Sequence, residues 1–289
     1  MNARALLLVV CLVLAGCGSA TEAGEGSSSP TVTPAPLPPE TGTPSPTPAL
    51  TAGTPVTAET LDGLAAAHAG GLANRSFTAT ERFVVRDEGG ALYEERSRLR
   101  AAGTAGTAPY RYDRTSVADP SYPGPQGIEA VALYHADGRT AFRSEDDAGS
   151  RYGVAADPLP ASPSGDRTGG AFLAELVPAF DTWRVTPADG GRLLRGTDLA
   201  DPSTLALDTR LIGPRNASVR LRVEPSGRVS RLVLDYDATL NGRTVAVRVE
   251  RRYGAVGTTS APEPPWLDRA LGTETSTTRV AVTEQVVRP

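Results

Sequence analysis

From Ser76 onward the chain alternates apolar and polar residues, and the alternation returns in one stretch after another. Phe77, Ala79, Phe83 and Val85 share a phase broken by one charge, Glu81, which predicts a strand. Asp87-Glu88-Gly89-Gly90 turns it back into a charged strand over 91–101, and Tyr110-Arg111-Tyr112 begins another. Residues 128–136 and 139–144 flank Asp137-Gly138 as a hairpin. Trp183-Arg184-Val185, the turn Asp189-Gly190-Gly191 and residues 192–195 suggest a second. The strongest pattern runs over 217–253. Val219, Leu221 and Val223 alternate with charges, and Leu232, Leu234, Tyr236, Ala238 and Leu240 share a face. Asn241-Gly242 is a two-residue hairpin turn that places Leu240 opposite Arg243. Tyr236 then opposes Val247, Leu234 opposes Val249, and Asp235 opposes Arg248 on the polar face. A four-residue loop over 224–227 puts Val219 opposite Leu232.

Helical spacing is confined to short segments. Leu61, Leu64, Ala65, His68 and Leu72 form one apolar stripe, with Thr57 as N-cap and Glu59 in the first turn, and the helix ends near Gly70-Gly71. Residues 171–177 form a short apolar helix that Pro178 stops. Residues 157–170 read as a Pro/Ser/Gly loop, 199–212 as a short helix or a loop, and 278–287 as a last strand or a tail. The pattern predicts an α+β domain over 57–289, built on an antiparallel sheet.

The first 56 residues follow different rules. Arg4 precedes an apolar run over 5–14, about half of the ~20 residues that span a bilayer. Leu14-Ala15-Gly16-Cys17 resembles a lipobox, the site at which prokaryotic lipoprotein precursors are cut and lipidated. That resemblance implies a signal peptide over 1–16, cleavage between Gly16 and Cys17, and a membrane lipid anchor on Cys17 at the extracytoplasmic face. Residues 17–56 are rich in Thr, Pro and Ser, with almost nothing to bury, and read as a disordered tether. Cys11 and Cys17 are the two cysteines, so the domain itself has no disulfide. The net charge is -4 and all 29 basic residues are arginine. No basic stripe is dense enough to point to nucleic acid.

The tether, the 61–72 helix running into Asn74-Arg75-Ser76-Phe77-Thr78, the 219–249 meander and the Pro264-Pro265-Trp266 close together resemble haloarchaeal membrane lipoproteins of unassigned function. More distantly, the plan resembles the half-barrel lipid carriers and sorting lipoproteins of bacteria. That resemblance implies a strongly curved, half-barrel-like antiparallel sheet with a few short helices on its concave face. It also implies a lipid or other apolar ligand held between them.

Candidate chemistry is sparse. No nucleophile elbow, phosphate loop or dinucleotide fingerprint occurs, and no enzyme, cofactor or metal is expected. His68 lies on the apolar stripe and reads as a packed helix residue; the other histidine is His135. Glu145-Asp146-Asp147 lacks the alternating ligands of a Ca²⁺ loop. Asp235 and Asp237 share a strand face as a carboxylate pair would, but with Arg248 opposite they read as a charged outer surface. Asn74 and Asn216 open N-glycosylation triplets. Leu64 and Phe172 from helices, with Phe83, Tyr134 and Tyr236 from strands, are the candidate walls of an apolar cleft. The alternative is an envelope interaction module with a filled core and no small ligand. Replacing Cys17 by Ser should leave the precursor uncut or release the domain from membranes. Unchanged processing and fractionation of that variant would contradict the lipobox reading.

Overall fold

The computed structural model describes residue 56 and residues 58–123, 129–146, 148–155, 166–205 and 207–272. Residues 1–16, expected to be a signal, nearly all of the expected tether over 17–56, Cys17 and the 278–287 stretch lie outside them. Among the described residues no helix is long and apolar enough to cross a membrane.

Eleven antiparallel strands form one curved, unclosed sheet. They are β1 (Phe77–Asp87), β2 (Gly90–Ala101), β3 (Tyr110–Ala118), β4 (Ala130–Ala136), β5 (Arg139–Asp146), β6 (Gly149–Ala155), β7 (Phe180–Ala188), β8 (Gly191–Leu199), β9 (Ile212–Val223), β10 (Val229–Leu240) and β11 (Arg243–Gly254). Their order in the sheet is β6-β5-β4-β3-β2-β1-β11-β10-β9-β8-β7. Two meanders therefore meet where the last strand pairs with the first. Three helices accompany them among the described residues: α1 (Ala58–Leu72), α2 (Gly170–Leu176) and α3 (Leu267–Gly272).

The Asn241-Gly242 turn has positive φ at both residues, 49° and 79°, as a type I′ turn requires. It sets the register expected from the sequence: Leu240↔Arg243, Tyr236↔Val247, Leu234↔Val249 and Asp235↔Arg248. The β9–β10 register differs from expectation. Val219 faces Leu234, and Leu221 faces Leu232. A longer connection and an irregularity between Val229 and Arg231 move the pairing by two residues, which keeps every side chain on its expected face. Strand β6 was not legible, because Gly149-Ser150-Arg151-Tyr152-Gly153 carries no apolar alternation. It forms as the edge partner of β5. Within 199–212, Leu199 ends β8, Pro202–Leu205 form a 3₁₀ turn, and Ile212 opens β9.

The inner face of the sheet carries the core. Leu61, Leu64 and Ala65 of α1 and Leu173 and Leu176 of α2 pack with Val219, Leu221, Leu232, Leu234, Val247 and Val249. The C-terminal end of α1 covers a second cluster, in which Leu72 meets Phe77, Leu99, Tyr110 and Leu133. The third helix departs from the expected arrangement. Trp266 and Ala270 pack on Tyr134 and Ala141, on the outer face of β4 and β5. The Pro-Pro-Trp segment thus plugs the back of the sheet.

His68 fastens α1 to its surroundings. It is fully buried, its Nε2 donating to the Thr168 carbonyl at 2.9 Å and its Nδ1 accepting from the Val229 amide at 3.2 Å. Both ring nitrogens are used by the neutral form, and burial, opposed by the Thr168 hydrogen bond, lowers the pKa from 6.5 to about 4. The unfolded chain therefore takes up a proton at higher pH than the native domain does. Stability held above pH 6.5 falls as pH drops toward about 4, by on the order of 3 kcal/mol at ~1.4 kcal/mol per unit. Urea unfolding of His68→Gln should show a flatter loss across that window than wild type. Parallel pH profiles would remove His68 from the acid response.

Candidate functional site on the inner face

Cross-strand pairing lays the inner face out as rows. One apolar row includes Leu234, Val249 and Phe83, and another includes Tyr253, Ala79, Leu99, Tyr112, Leu133 and Phe142. Between them runs a polar row: Arg251 faces Glu81, Glu81 faces Ser97, and Ser97 faces Arg114. The Arg251 Nε donates to Glu81 at 2.6 Å, and its guanidinium lies 4.8 Å from the centre of the Phe172 ring. Burial alone would lower the Arg251 pKa, but Glu81 beside it raises it, so the cation is secured by its partner. Phe83, Tyr112, Val131 and Phe142 remain half-buried along these rows.

A second polar cluster lies at the opposite end of the inner face from α1's Leu72. Tyr93 and Tyr122 stack at 4.8 Å, Phe83 meets Tyr93 edge-on at 6.0 Å, and Arg210 sits 4.7 Å over Tyr122. The Tyr122 hydroxyl donates to Asp208 at 2.9 Å, and the Tyr93 hydroxyl to Glu95 at 2.8 Å. Burial, reinforced by those carboxylates, pushes Tyr93 up to about 12 and raises Tyr122 further. Both phenols thus act as neutral donors. Tyr236 is 3% exposed, and its buried hydroxyl has no hydrogen-bond partner among the described residues. Such an orphan costs roughly 1–3 kcal/mol.

Four of the five candidate lining residues come together. Leu64 and Tyr236 belong to the main core cluster, and Phe83 and Phe172 pack against it half-buried. Tyr134 does not join them. It alternates with the inward residues Leu133 and His135, so β4 turns it to the outer face beneath Trp266. Two surface grooves, of about 600 and 480 Å³, also lie on the outer face and not between sheet and helices. Asp235 sits on that outer face as expected, bound to Arg248 at 2.7 Å and Arg220 at 3.0 Å. Asn74 and Asn216 are exposed in left-handed conformations, with φ of 56° and 53°. The Asn216 amide already donates to Asp237 at 2.8 Å. Among the described residues no group of acidic, histidine or cysteine side chains is placed to hold a metal.

The Tyr93–Tyr122–Arg210–Asp208 cluster was missed from the sequence because its members come from three distant segments. The polar row left a trace: Glu81 and Arg251 each interrupt an apolar alternation.

No protein-family model and no curated protein sequence matches the chain. Among solved structures, LprF from Mycobacterium bovis is similar at 13% identity and a TM-score of 0.40, covering 73% of this chain and 99% of LprF. The MucA/MucB complex structure of Pseudomonas aeruginosa is similar at 13% identity and a TM-score of 0.30, covering 72% of this chain and 60% of that one.

Proposed function

We propose that this domain is a membrane-anchored binding protein and not an enzyme. Cys17 holds it at the extracytoplasmic face, and a lipid or other apolar ligand occupies the inner face beneath α1 and α2. The observation that carries this reading is the Tyr236 hydroxyl, buried with no hydrogen-bond partner among the described residues, in a core cluster against whose margin Phe83 and Phe172 pack half-buried. A ligand with an apolar body and one polar group would satisfy that hydroxyl while covering the rings. The apolar rows on either side of Arg251–Glu81–Ser97–Arg114 suit the same amphipathic shape.

A second reading has its own support. Leu64, Leu173, Leu234 and Tyr236 are almost wholly buried in one continuous cluster, and both described grooves open on the other face. A filled core of this kind suits an envelope interaction module with no small-molecule ligand.

Titration of the full chain with the fluorescent fatty acid cis-parinaric acid separates the two. The carrier reading expects saturable binding. It also expects Tyr236→Phe to be at least as stable as wild type yet to bind about two- to tenfold more weakly, the weight of one neutral hydrogen bond. No saturable binding by the wild-type chain, or unaltered affinity in Tyr236→Phe, would favour the interaction module.

A further inference from the structure

The outer face of the sheet carries arginines in rows that run across the strands. Arg184 on β7 lies opposite Arg195 on β8, which lies opposite Arg220 on β9. The same row continues through Val233 and Glu250 to Arg82 on β1, opposite Arg96 on β2. One step along the strands, Arg222, Arg231 and Arg252 face one another on β9, β10 and β11, and the row passes Thr80 to Arg98. Like charges placed directly opposite across a ladder destabilise a sheet, and alternating sign is the usual solution on a solvated face. Here arginine opposes arginine at five register positions in these two rows, on a protein whose net charge is -4.

The carboxylates on this face orient the arginines without cancelling them. Glu250 accepts from both Arg231 at 2.8 Å and Arg252 at 2.6 Å. Glu94 accepts from Arg82 at 2.8 Å and Arg96 at 2.5 Å, and Asp235 from Arg220 and Arg248. Six guanidinium groups thus share three carboxylates. Arg98, Arg184 and Arg195 form no ion pair among the described residues, and all three are exposed. Arg82, Arg96, Arg98, Arg100, Arg111 and Arg252 also line the shallow groove of about 600 Å³ on this face.

We propose that the outer face is a docking surface for an extended, flexible polyanion whose phosphate groups repeat along a chain. Guanidinium forks match phosphate oxygens bidentately, and arginines already held by carboxylates lose little freedom on binding. From β7 to β2 the first row crosses six strand spacings of about 4.8 Å, a path of roughly 30 Å. One lipid headgroup or one free phosphate is far shorter than that path. A flat bilayer would touch a convex face along one line only. A flexible chain can follow the row around the curve. The inference is independent of any ligand on the inner face.

The test uses the full chain in phosphatidylcholine nanodiscs, with long-chain inorganic polyphosphate as probe. Polyphosphate should bind with an affinity that falls linearly against salt on logarithmic axes, the mark of counterion release. Orthophosphate at equal total phosphate should compete at least about tenfold less well. The triple variant Arg98→Gln/Arg195→Gln/Arg222→Gln should weaken binding by about tenfold or more and lower the salt slope by about three. Its thermal unfolding should match wild type, since each side chain is exposed. Absence of salt-dependent binding by the wild-type chain would overturn the proposal even if the variant did not fold. So would unchanged affinity in the triple variant. Stronger competition by phosphatidylglycerol vesicles than by polyphosphate at equal phosphate would assign the face to a membrane surface instead.

Discussion

A sheet of eleven strands with one apolar face has to be roofed, and two short helices do most of that work here. The rest of the domain follows from how the roof is attached. α1 spans both inner clusters, from Leu61 to Leu72, and His68 in its middle bonds to the Thr168 carbonyl and the Val229 amide. One side chain thereby joins the helix, the loop leading into α2 and the strand at the start of the C-terminal hairpin. Gly169 makes this approach feasible. Its φ is +77°, and a Cβ there would fall 2.3 Å from the Tyr253 hydroxyl. Asp166 accepts from the amides of Thr168, Gly169 and Ala171 and so fixes the turn that α2 grows from. Arg167 between them donates to the carbonyls of Ala105, Gly106 and Ala108 and stacks 4.5 Å from Tyr110, which ties the β2–β3 connection to the same loop.

The two faces handle charge differently. On the inner face a charge survives only in company: Arg251 with Glu81, Arg210 with Asp208, Tyr122 against Asp208. The low polarity around them makes an unpaired group costly, so the Tyr236 hydroxyl, buried with no hydrogen-bond partner among the described residues, stands out from these paired groups. On the outer face water screens the arginines, and the sheet tolerates juxtapositions the inner face would not. A sheet roofed on one side and rowed with cations on the other presents two chemically distinct surfaces.

Much of the architecture was legible. The phase of alternation assigned the inward residues of β1, β9, β10 and β11, and the Asn241-Gly242 turn specified a register that pairs Asp235 with Arg248. Local pattern failed where long-range contact decides. β6 exists because β5 offers it an edge, and Tyr134 turns outward because β4 enters the sheet with Leu133 inward, which nothing within the strand itself could reveal. The arginine rows were invisible for a similar reason. Arg184, Arg195 and Arg220 are far apart in sequence, and only pairing brings them abreast. Glu81 was visible as an interruption of β1, yet its partnership with Arg251 depends on β1 meeting β11.

The proposed carrier role requires an apolar molecule between α1, α2 and the sheet. Native mass spectrometry of the full chain, released from its own membranes in mild detergent, tests it most directly. The proposed carrier role predicts a population heavier than the covalent polypeptide by one discrete apolar molecule, which dissociates on activation while any covalent modification stays. A single species at the mass of the covalent polypeptide, with no dissociable molecule under the gentlest conditions, would contradict it.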